Sequence, residues 1–223
     1  MIASITFLIT YALYRYRLAQ LMRLERVRNR IARDLHDDVG SSISTIAIYS
    51  KIVKEHLGSP TFNNEPLLKK ITDNVNEIME AMSDIVWNIN TKNDDFDQII
   101  MRMQEHAHQL FEAKGYTLHF HFDESLNHMR LKMERRRDFY LIYKEALNNI
   151  AKYANGNNVW ISLSTVNAQI SLTIRDDGAG FDSETIRKGS NGLTNMQYRT
   201  TALGGKIEIR SALGKGTEIR LHF

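Results

Sequence analysis

The chain has 223 residues, 43% apolar and 25% charged, with a formal net charge of +3 and no cysteine. That length and apolar content support one large domain or two small ones with a real core, and the missing cysteine excludes disulfides, thiolate metal sites and cysteine nucleophiles. The positive excess is local: Arg15, Arg17, Arg23, Arg26, Arg28, Arg30 and Arg33 crowd one stretch, and with no known reader motif beside them direct nucleic-acid binding is not expected.

Residues 2–14 read IASITFLITYALY and carry no charge. The run is shorter than the roughly 20 residues a membrane helix needs. Its arginines follow rather than precede it, which marks the cytoplasmic flank of a span and makes it a poor leader peptide. It reads first as the inner half of a membrane span, and second as an apolar start to a coiled coil. A long helix is predicted over Leu18–Leu57, with Leu24, Val27, Ile31, Leu35, Val39, Ile43 and Ile46 recurring at spacings of three or four. Gly58–Pro66 holds both prolines and forms a turn. A second helix over Leu67–Asn90 carries Leu68, Ile71, Val75, Ile78, Met82, Ile85 and Ile89, a heptad seam. One hairpin cannot cover that stripe; two can, as a four-helix bundle, so a homodimer is expected.

Asn90–Asp97 reads as a polar linker, followed by an amphipathic helix over Phe96–Lys114 capped by Gly115. Leu118, Phe120 and Phe122 alternate as a strand, and a helix spans Glu134–Ala154. Val159–Ser164 and Ile170–Arg175 form a hairpin. A glycine-rich loop leads to a helix at Asn195–Leu203, and strands at Lys206–Arg210 and Thr217–Phe223 close an α+β domain with helices on one sheet face.

Chemistry-bearing residues fall into five groups. His36 stands one place off the apolar stripe of the first helix, next to Asp37 and Asp38. A neighbouring carboxylate can hold the imidazole tautomer and take its proton, leaving a nucleophilic nitrogen. Glu145, Asn149 and Lys152 lie at i, i+4 and i+7 and share one helix face, setting an amide oxygen for a hard cation beside a cation for phosphate. Asp176-Asp-Gly178-Ala-Gly180-Phe181 follows a strand directly, where an aspartate can accept from an adenine amino group and glycines let the backbone turn beside a ligand. Gly189-Ser-Asn-Gly192-Leu193 precedes a helix N-terminus, and Gly214-Lys-Gly216-Thr217 precedes the last strand.

In that order, these segments resemble the transmitter core of a sensor histidine kinase, of the nitrate-sensor and desaturase-regulator type. Glu25–Gly40, ERVRNRIARDLHDDVG, is similar to that subfamily's phosphoacceptor box; EALNNIAKYA to its N box; DDGAGF to its G1 box; GSNGLTNM to its G2 box. The resemblance covers nearly all of residues 20–223. It implies a membrane-proximal segment at 1–17, a dimerisation and histidine-phosphotransfer hairpin at 18–91, and a catalytic ATP-binding α/β-sandwich at 92–223.

It also implies roles. His36 accepts the phosphoryl group and Asp37 is the general base. Asn149 ligates Mg²⁺, Lys152 contacts phosphate, Asp176 reads adenine, and Glu145 orients or deprotonates near the phosphate. Gly178, Gly180 and Gly192 let the lid and the base approach ATP, with Tyr153, Leu193 and Thr217 completing the nucleotide contacts. The expected partners are a second copy and a response regulator with a helix-turn-helix output domain. The expected location is the inner membrane, with the catalytic part in the cytoplasm.

Three positions depart from the family pattern. Ser190 replaces a G2-box glycine, Tyr153 replaces an N-box histidine, and Ser41 replaces a glutamine that positions water for dephosphorylating the regulator. Ser41 therefore predicts weak or absent phosphatase activity. The competing expectations are a catalytically impaired dimeric ATP-binding scaffold and an ATPase or serine kinase of the same wider fold.

Overall fold

The computed structural model describes residues 7, 9–11, 13–18, 22, 40–57, 62–126, 129–166, 169–182 and 191–223. His36, Asp37, Ser190, the side chain of Ser41 and residues 58–61, where a turn is expected, lie outside the described residues. The chain divides into two compact units, Met1–Trp87 and Asn88–Phe223.

The described residues of the first unit are mostly helical. The described residues between 7 and 22 are helical with exposed apolar side chains, and no helix among the described residues is long and apolar enough to cross a membrane. Helix α1 spans Gly40–Glu55 and α2 spans Glu65–Ile89. Pro66 sits in the first turn of α2, where a missing N–H costs nothing, and Asn63 Oδ1 accepts from the Glu65 N–H at 3.0 Å. The two helices fold back on each other: the His56 ring stacks on Phe62 at 4.1 Å, and Lys70 Nζ lies 5.5 Å from the centre of the Tyr49 ring. The hairpin leaves its seam half-open. Ile71, Ile78 and Ile85 are half-buried, whereas Leu68, Val75 and Met82 are 51%, 43% and 45% exposed.

The second unit is one five-stranded sheet layered with helices. Its elements are α3 (Phe96–Phe111), β1 (Thr117–Phe122), α4 (Met133–Tyr153), β2 (Asn158–Val166), β3 (Gln169–Asp176), α5 (Asn191–Leu203), β4 (Lys206–Ser211) and β5 (Thr217–His222). The strand order is β1-β2-β3-β5-β4. β1 and β2 are parallel, joined through α4, and the other pairs are antiparallel. Val159, Ile161, Leu163, Leu172, Ile174 and Leu221 of the sheet and Phe96, Ile99, Met103, Phe139, Ile142 and Leu147 of the helices are all buried and make up much of the core. Burial pushes the Tyr143 phenol well up, so it stays a neutral donor, and its Oη donates to the Met103 carbonyl at 2.6 Å, tying α4 to α3.

Two stretches differ from the sequence expectation. Asn90–Asp97 is not a free linker: Thr91–Asp94 forms a 3₁₀ turn, Asp95 bridges Arg130, and Phe96 is fully buried. Its polar groups answer Arg136 of α4, which is fully buried and donates to Asp94 and to the carbonyls of Asn88 and Asn90. The helix expected from Asn195 begins at Asn191, so Gly192 and Leu193 form its first turn rather than a preceding loop. Glycine lowers helix propensity in the middle of a helix far more than at its first turn.

Candidate functional site

β3 lies between β2 and β5, and its last residue is Asp176, paired in register with Val159. At that end of the sheet a cavity of about 530 Å³ opens between α4, the turn after β3, the start of α5 and the β4–β5 pair. Of the sequence-selected residues, Glu145, Asn149, Lys152, Tyr153, Asp176, Gly180, Gly192, Leu193 and Thr217 line it. They come from segments far apart in sequence. Gly178 does not line the cavity, and it acts on Asp176 instead.

The cavity is graded. Its floor is Asp176, 1% exposed, with Ile150, Ala154 and Ile219 around it, while Lys152 and the 70%-exposed Tyr153 stand at the mouth. Burial pushes the Asp176 carboxyl above its ordinary range; hydrogen bonds from Gly178 and Thr217 pull it back in part, and the charge of Asp177 adds to the rise. The Gly178 N–H donates to Asp176 Oδ1 at 2.8 Å. The carboxylate is thus fixed on the apolar floor of the cavity, with the polar side chains of Glu145, Asn149 and Lys152 along the α4 side.

The turn that carries it has no room for a Cβ at Gly178 or Gly180. A Cβ on Gly178 would stand 2.1 Å from the Ala154 carbonyl oxygen, whose position is fixed by the Ala179 N–H at 2.5 Å. Gly180 has φ +59°, and a Cβ there would meet the Ala212 carbonyl oxygen at 2.1 Å. Ser211 Oγ accepts from the Phe181 N–H and donates to the Gly216 carbonyl, closing the turn onto the β4–β5 hairpin.

On the α4 side, Asn149 Nδ2 donates to Glu145 Oε1 at 3.4 Å. A Cβ on Gly192 would lie 2.1 Å from the same Glu145 oxygen. The first turn of α5 therefore rests against Glu145. Among the described residues no cluster of three or more His, Asp or Glu is placed to hold a metal ion. The apolar lining of Ala146, Ile150, Ala154, Phe181, Ile209 and Ile219 was not selected from the sequence. Ile209 and Ile219 are cross-strand partners whose alternation reads as ordinary core; only the fold shows that the core stops there.

Two family matches fit this arrangement. Residues 27–95 match the family described as histidine kinase, and residues 134–223 match the family described as histidine kinase-, DNA gyrase B- and HSP90-like ATPase. The chain belongs to the sensor histidine kinases. Its second unit is therefore an ATP-binding domain of that class, and the family is one of phosphotransferases.

The kinase chain is 25% identical over 203 residues to an uncharacterized sensor-like histidine kinase of Chloroflexus aurantiacus, covering 88% of this chain and 34% of that protein. It is 27% identical over 198 residues to the signal transduction histidine-protein kinase/phosphatase UhpB of Salmonella typhimurium, covering 88% of this chain and 39% of that one. The chain thus spans less than half the length of these curated relatives. In fold it is similar to the Acinetobacter baumannii histidine kinase AdeS, with a TM-score of 0.57, 16% identity, and coverage of 84% of this chain and 96% of that chain.

Proposed function

We propose that the chain is the ATP-dependent autokinase core of a two-component sensor, phosphorylating His36 and passing the phosphoryl group to an aspartate of a response regulator with a helix-turn-helix output domain. The observation that carries this reading is the graded cavity. A buried carboxylate in an apolar floor suits a purine amino group, and the polar mouth at Asn149 and Lys152 suits phosphates. The organisation proposed is a membrane-proximal segment at 1–17, the phosphotransfer hairpin at 18–91 and the catalytic domain at 92–223. The kinase is held at the inner membrane with its catalytic part in the cytoplasm, and it works as a homodimer.

The chemistry asks mainly for positioning and charge neutralisation. A His36 ring nitrogen forms the new N–P bond, the bond from the γ-phosphorus to the bridging oxygen breaks, and ADP leaves. Asp37 holds the imidazole and takes its proton. Asp176 accepts from the adenine amino group, and Lys152 neutralises phosphate charge. Gly180, Gly192, Leu193, Tyr153 and Thr217 shape the walls, and Gly178 holds Asp176 in place.

Mg²⁺ fits this donor set as an ion that keeps its water and phosphate ligands and takes one protein oxygen. Asn149 donates through its nitrogen to Glu145, which leaves its amide oxygen for the cation. When bound, the ion neutralises charge on the phosphates.

With Ser41 in place of a glutamine, dephosphorylation of the regulator is weak. The reading is tested by a chase: labelled kinase mixed with a receiver domain loses its label to the receiver's aspartate. A stable labelled kinase beside every receiver domain encoded in the same genome would contradict the transfer step.

A further inference from the structure

Asp177, the second residue of the turn after β3, is exposed and outside the cavity, yet its carboxylate is heavily bonded. Its Oδ1 accepts the N–H groups of both Asn157 and Asn158 at 2.8 Å. Its Oδ2 accepts from Asn158 Nδ2 at 2.7 Å. Desolvation works against its charge, but these hydrogen bonds outweigh it and hold the carboxyl below its ordinary range. Because Asn158 donates through its nitrogen, its Oδ1 is the acceptor for His119 Nε2, 3.1 Å away on β1. The His119 ring in turn stacks on Trp160 at 5.3 Å, and the Arg175 guanidinium lies 4.6 Å from the Trp160 ring centre.

These contacts join two segments that the nucleotide site needs in fixed relation. Asn157 and Asn158 end the loop that leaves α4, the helix carrying Glu145, Asn149 and Lys152. Asp177 belongs to the turn carrying Asp176. Gly156 belongs to the same joint: a Cβ there would lie 2.5 Å from Asp177 Oδ1 and 2.9 Å from the Gly178 nitrogen. We infer that the Asp177–Asn158 pair, braced by His119, is a positioning clamp that sets the purine-reading carboxylate of Asp176 against the phosphate-side helix α4. This rests on the nucleotide reading of the cavity and adds residues that do not touch the ligand.

The polarity of the pair supplies a test. Asn158→Asp sets two carboxylates against each other. The added Asp177→Asn restores a donor–acceptor pair with the direction reversed, and the amide it introduces keeps an oxygen for the backbone N–H groups. ADP binding to the full chain is measured by calorimetry, beside the melting temperature, for wild type, N158D and N158D/D177N. The clamp predicts about tenfold weaker binding in N158D, measured below its melting transition, and recovery to within about threefold in the double variant. Equal affinity in N158D and wild type overturns the clamp. So does a double variant that regains stability without regaining affinity. A wild type that does not bind ADP overturns the nucleotide reading itself, and the clamp with it.

Discussion

Arg136, which has no exposed surface, donates to the carboxylate of Asp94 across 42 residues of sequence, and the same guanidinium caps the carbonyls of Asn88 and Asn90. Burial pulls the guanidinium below its ordinary range and Asp94 offsets part of that, so the charge persists and is answered. Removing one partner of such a pair strands the other. Arg136→Ala should destabilise the second unit by about 3 kcal/mol or more, read as a lower denaturation midpoint. Asp94→Asn, which keeps an acceptor, should cost less.

Asp176 places function against stability. Its carboxyl is pushed up by burial. A carboxyl whose folded value exceeds its unfolded value favours the fold at low pH, and that contribution is lost as pH rises through the folded value. Ionised Asp176 is therefore a cost near neutrality. Asp176→Asn should match or exceed the wild-type melting temperature at pH 7, with the gain fading on acidification into the carboxylate range, while ADP affinity falls by about tenfold or more. A variant that binds ADP like wild type would remove Asp176 from the site.

The two glycines differ in what they would strike. At Gly178 an added Cβ meets the backbone of Ala154; at Gly192 it meets only the tip of the Glu145 side chain. Gly178→Ala should lower the melting temperature and abolish nucleotide binding together. Gly192→Ala should leave stability within about 0.5 kcal/mol and displace Glu145, lowering the rate of phosphoryl transfer more than ADP affinity. Melting curves, ADP titrations and labelling rates on the two variants separate these outcomes.

The half-open seam of α2 predicts the oligomer. Val75 and Met82 are exposed in one chain and lie at seam positions. Val75→Glu or Met82→Glu should convert a dimer into a monomer in sedimentation equilibrium, because an ionised carboxylate cannot be buried in a helical interface without a partner. ADP binding by the second unit should survive either change.

Much of this was legible in the sequence because it is local. The heptad spacing of α2, the alternation of β2 and β3 and the glycines after Asp176 each reflect one backbone period or one turn. The Arg136–Asp94 pair was not legible. Nothing in MERRRDFY marks which arginine turns inward, and the polar run at 90–97 has the composition of a linker. Gly192 was read as a loop glycine because its reason, the approach of Glu145, lies 47 positions away. The role of Asp177 leaves no mark in the sequence because its partners, Asn157 and Asn158, belong to a different loop. Long-range polar pairing leaves no periodic trace.

In the proposed reaction His36 receives the terminal phosphoryl group of ATP. The most direct measurement is incubation of wild type and His36→Ala with γ-labelled ATP and Mg²⁺, followed by acid and base treatment. An acid-labile, base-stable label is expected on wild type and none on His36→Ala. An unlabelled wild type, or a label that survives the loss of His36, would contradict it.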